Sequence, residues 1–151
     1  MRLANLQQQI TELKDAKDLE WGSGSFSKRI VMLHSSIAGA ALACKNGQTS
    51  NCASQLATLV IQIIAFPAMF PSWGDIWGSQ SLEDFKTEGI SGDLWDHYYK
   101  LHQLASGLVG GRSDIILLFK MLQLARAAAQ LQNIELSGAI KEQMDSFSQT
   151  T

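Results

Sequence analysis

The chain has 151 residues, of which 46% are hydrophobic and only 17% charged, and its formal net charge is −2. A single domain of this length buries about two thirds of its unfolded surface, so it needs neither a metal nor a disulfide to fold. The slight negative charge argues against a phosphate-tracking nucleic-acid binder, which would show a basic stripe, and the low charge content implies a surface short of charge or covered by a partner.

Leu3, Leu6, Ile10 and Leu13 recur at three- and four-residue steps and predict a first amphipathic helix over 3–17. WGSGS at 21–25 reads as a loop, after which Ser25 or Ser27 caps a second helix. That helix runs to about 45 and stops at Asn46-Gly47, a left-handed C-terminal signal. Ser50 or Asn51 caps a third helix, ended by Pro67 and Pro71. The most apolar window, 56–70, is shorter than the ~20 residues that span a bilayer and is interrupted by Gln62 and Pro67. It is read as a core helix, and no membrane is expected. No signal peptide is expected either, because MRLANLQQQITELKD lacks an apolar stretch followed by a small-residue cleavage site.

Cys44 and Cys52 flank the loop between the second and third helices. Two cysteines are no disulfide framework, and the expected state is a pair of buried reduced thiols in a cytoplasmic protein. The alternative is a clip across CKNGQTSNC, which requires an oxidising compartment.

Positions 71–92 hold most of the helix breakers, with one short helical turn at 82–88 behind Ser81. Asp93 caps a fourth helix over 94–109, closed by Gly110-Gly111. Ser113 or Asp114 opens a fifth that runs to 131 and is apolar nearly all round, its one polar stripe being Lys120, Gln123, Arg126 and Gln130. LQNIEL turns the chain into a sixth helix over 136–147. No strand pattern competes, so the class is an all-α bundle of five to six helices with short connections.

The acids are unevenly spread. None lies between Glu20 and Asp75, six fall in 75–96, and Asp114 is the only one between Asp96 and Glu135. Glu83, Asp84, Asp93 and Asp96, with Glu88 among them, are candidate ligands for a metal; the competing reading makes them helix caps in a solvated loop. Trp73, Trp77, Phe85 and Trp95 in the same region either stack a base or anchor the loop to the core. His97 and His102, five apart, point to different sides of their helix, and His34 has no acid near it in sequence to make Ser35 a nucleophile.

Several segments together carry a resemblance: LANLQQQITEL, then SFSKRIVMLHSSIAGAALACKNG, a short loop, ASQLATLVIQIIAF, and the closing ARAAAQLQNIELSGAIKEQM. Positions 3–66 resemble the MazG-like nucleotide pyrophosphohydrolases, an all-α group, and the last thirty residues resemble that family's closing segment. In the family, Glu-Glu-x-x-Glu on one helix and Glu-x-x-Asp on the next point several carboxylates at one place and hold Mg²⁺ on a nucleoside triphosphate. At the matching positions this chain has Ser35, Ser36 and Gly39, then Gln55 and Thr58. The spacing is kept and every charge is gone. Neutral side chains cannot compensate Mg²⁺ as carboxylates do.

LHSSIAGAALA at 33–43 is echoed by LHQLASGLVGG at 101–111, each before a long aliphatic helix. This suggests a duplicated helical hairpin, with 3–66 as one half, 67–92 as linker and 93–147 as the other, packed as two subunits of a dimeric relative would be. Chance similarity of Ala/Leu-rich helices is the rival explanation. The resemblance implies a catalytically degenerate protein without cofactor, acting through dimerisation, a protein partner or nucleotide binding. Two alternatives stand beside it. One is an active, Mg²⁺-dependent pyrophosphohydrolase using acids from 75–96. The other is an unrelated helical interaction module.

Overall fold

The computed structural model describes residues 1–17, 25–47 and 49–149. The loop reading at 21–24 lies outside them. Among the described residues there are seven α-helices and no strand: α1 (Leu3–Lys17), α2 (Phe26–Lys45), α3 (Thr49–Ala65), α4 (Gly74–Gly78), α5 (Leu94–Ser106), α6 (Asp114–Leu131) and α7 (Leu136–Gln149). The all-α expectation holds, with α4 as an addition.

The helix ends follow local chemistry. The Ser25 hydroxyl accepts from the Lys28 N–H at 3.3 Å and starts α2. Gly47 ends that helix in the left-handed region, with φ +70°. α3 begins at Thr49, so Ser50 and Asn51 lie inside it rather than capping it. α2 ends at Lys45 and α3 begins at Thr49, so the chain returns to helix earlier than the cap signals suggest. α5 ends at Ser106, not 109. The reason is Asp114, whose buried carboxylate accepts from the Val109 and Gly110 N–H groups at 3.1 and 2.8 Å and holds 108–113 as a loop.

α3 is the centre of the bundle. It packs against α1, α2, α6 and α7, and Leu56, Leu59, Val60, Ile61, Ile63 and Ile64 are fully buried. The helical stretch 50–69 is long and apolar enough to cross a membrane by length and composition; 67% of its most apolar window is buried inside the protein.

Two antiparallel hairpins form the frame, α2–α3 and α5–α6. α2 packs on α5, and α3 packs on α6. Cys44 and Cys52 are joined as a disulfide across the first hairpin's turn, with Cα atoms 4.9 Å apart. The expectation of two reduced thiols is therefore corrected. The last turn of α2 and the first of α3 lie side by side, well within bridging distance. The Tyr98 hydroxyl of α5 lies 3.2 Å from the Cys44 sulfur, and burial pushes its pKa up to about 12.

The 67–92 segment is part of the core. Trp73, Trp77, Leu82 and Phe85 are buried, and Trp77 stacks on Phe119 of α6. Arg126 of α6 donates to the carbonyl of Phe85 and to that of Glu83. The start of α1 is tied to the same segment, Leu3 N–H to Gln80 and Leu82 N–H to Met1.

Candidate functional site

The five positions that match the family's metal ligands lie along the α2–α3 seam or beside it. Ser36 donates to the Gln62 side-chain oxygen at 2.8 Å, and Gln62 is buried. Gly39 faces Gln55 so closely that a Cβ there would sit 3.0 Å from its Oε1. Thr58 turns its hydroxyl to its own helix, donating to the Ser54 carbonyl at 3.0 Å. Ser35 is exposed on the outer side of α2. The structure thus brings Ser36, Gly39 and Gln55 to one seam and leaves Ser35 and Thr58 off it. Gln62, absent from the sequence-based set, belongs to it; its burial was the missing signal, since Gln within an aliphatic run needs a partner.

Four of the acids of 75–96, Glu83, Asp84, Asp93 and Asp96, are occupied locally, and Glu88 is not gathered with them. Asp84 accepts from the Ser81 N–H at 2.9 Å. Asp93 and Asp96 form a reciprocal capping box at the start of α5, each accepting from the other's N–H at 2.9–3.0 Å. The amino group of Met1 donates to Glu83 at 2.8 Å and holds its carboxyl below the usual range. Among the described residues, no three His, Cys, Asp or Glu side chains gather into a metal-binding group.

Of the four aromatics, Trp73, Trp77 and Phe85 are buried anchors, while Trp95 is 54% exposed. His97 is buried, its Nδ1 2.7 Å from the Asp93 carbonyl, and stays on its own helix. His34 and His102, never paired by the sequence reading, meet across α2 and α5. Their rings stack 5.0 Å apart at 7°, and their Nδ1 atoms are 2.7 Å apart, one donating to the other. Ser106 reaches the other nitrogen of His34 at 3.4 Å.

Around this pair lies an outer face that carries charge only at its edges. On α2, Val31, Ser35, Ala38 and Leu42 form one exposed stripe at steps of four, three and four. On α5, Trp95, Tyr99 and Ser106 form another, next to His102. Val31, Leu42, Trp95 and Tyr99 are 67, 56, 54 and 65% exposed; the exposed Lys28 and Lys45 lie at the two ends of the α2 stripe, and the exposed Asp96 and Lys100 border the α5 stripe. Large apolar and aromatic groups on a charge-depleted patch are the composition of an interface core.

No family model matches this chain, and no curated protein or solved structure matches it.

Proposed function

We propose that this protein acts by binding rather than by hydrolysis, as a helical protein of MazG-like design that lacks the metal carboxylates and self-associates through the α2–α5 face. The observation that carries the binding half is the exposed apolar and aromatic set Val31, Leu42, Trp95 and Tyr99 around the histidine pair. A second copy is the occupant that fits. The apolar centre of the face can meet itself with the edge charges left in solvent, whereas a charged partner would bury charges that this centre does not answer.

Two features support the degenerate design. The α2–α3 seam is filled by Ser36, Gly39, Gln55 and Gln62, with hydrogen bonds and close packing where the resemblance would put carboxylates. The hairpins also pair first helix to first helix and second to second. His34 and His102, 68 residues apart, touch each other, and Gly39 and Gly107 have the same separation. A residue on a two-fold axis touches its own counterpart, so this contact favours a duplicated hairpin.

The test is pyrophosphate release from a panel of nucleoside triphosphates with excess Mg²⁺ or Mn²⁺, beside an active enzyme as control. No turnover is expected. Turnover that chelation abolishes, and that is lost on replacing Glu83, Asp84 or Asp93, would overturn this reading in favour of a rebuilt metal site.

A further inference from the structure

The polar stripe of α6 is divided by the fold. Arg126 holds the Phe85 and Glu83 carbonyls, and Gln130 accepts from Thr87, so half the stripe fastens the 82–88 segment. The other half, Lys120 and Gln123, faces an open groove of about 340 Å³ between α5 and α6. Across the groove stand Lys100 and Gln103 of α5. The two helices present the same pattern, Lys-x-x-Gln-Leu, as KLHQL at 100–104 and KMLQL at 120–124. On each helix this spacing places Lys, Gln and Leu on one side, so two antiparallel helices offer a cation, an amide and an apolar floor twice over.

The groove's charge is of one sign. Among the described residues, its only charged lining residues are the two lysines, although the chain as a whole is slightly acidic. Among the described residues neither ammonium has an ion-pair partner. Asp96, one turn before Lys100, is turned away to the Asp93 N–H. Leu104 and Leu124 give the floor an apolar surface. The volume is within the range of small-molecule sites.

We infer that this groove binds a small organic phosphate, its phosphate held by Lys100 and Lys120 with Gln103 and Gln123 as amide donors, and its apolar body laid on Leu104 and Leu124. The site lies apart from the α2–α5 face and does not depend on the reading given above. Lysine serves here as a point charge for phosphate, and the glutamines add directional hydrogen bonds.

Titration with phenyl phosphate, followed by amide NMR on the full chain, tests this. Shifts are expected at the Gln103 and Gln123 side-chain amides, with binding that weakens as salt is added. Inorganic phosphate should bind at least fivefold more weakly, since it cannot use the leucine floor. Lys100→Gln with Lys120→Gln, both exposed positions, should weaken phenyl phosphate at least tenfold while leaving the spectrum folded. Shifts centred elsewhere, or an affinity unchanged in the double variant, would overturn the assignment. Equal binding of inorganic and phenyl phosphate would overturn the organic part of it.

Discussion

His34 of α2 and His102 of α5 stack in near-parallel planes with their Nδ1 atoms 2.7 Å apart. One nitrogen donates and the other accepts, so the contact exists only while at least one ring is neutral. Desolvation, and secondarily the facing His34, lower the pKa of His102. The sign follows: a histidine whose folded pKa is depressed contributes stability above its unfolded value near 6.5, and that stability is lost as the pH falls through the folded value. Urea midpoints should therefore fall between pH 7.5 and pH 5. His102→Gln should flatten that dependence. A midpoint that is level across this range in the native chain would remove the pair from the account.

Asp114 is a fully buried acid whose oxygens accept from two backbone N–H groups of the α5–α6 loop. Asp114→Ala strips both N–H groups of their acceptor and should cost about 2–3 kcal/mol in denaturant unfolding. Asp114→Asn keeps one acceptor oxygen and should cost less. Equal losses for the two would mean that charge, not hydrogen bonding, holds the loop.

Ser36 and Gln62 test whether the α2–α3 seam is packing. Ser36→Ala leaves the buried Gln62 oxygen without its donor and should cost about 1–2 kcal/mol. Ser36→Ala combined with Gln62→Leu removes both polar partners and should recover most of that loss. A double variant as unstable as the sum of both single changes would show that the two side chains are not coupled and contradict this reading of the seam.

The disulfide closes a short loop, eight residues from Cys44 to Cys52. Thiol titration of the native protein should find no free cysteine, and Cys44→Ser with Cys52→Ser should lose about 2–3 kcal/mol. Two titratable thiols would return the pair to the reduced state expected of a cytoplasmic chain.

The sequence spoke clearly wherever one residue type decides a local outcome. Ser25, Gly47 and Asp93 punctuate the helices as their chemistry requires. The buried aromatics Trp73, Trp77 and Phe85 anchor 71–85 as bulky groups among breakers should. What was hidden depends on contacts between distant residues. Neither the His34–His102 stack nor the groove facing Lys100 and Lys120 can be read from one helix, because each is made by two. α5 is shorter than its sequence pattern because Asp114, on the next helix, takes Val109 and Gly110 out of helical bonding. The seam was legible as a pattern of missing charges, but Gln62, its most buried polar member, lay outside that pattern.

Self-association through the α2–α5 face is the central claim, and molar mass by light scattering at tens of micromolar tests it most directly. The native chain should run at twice its 16.5 kDa, and Leu42→Glu with Tyr99→Glu, both exposed positions, should reduce it to a folded monomer. A native mass of 16.5 kDa, or a dimer that survives both substitutions, would contradict the account.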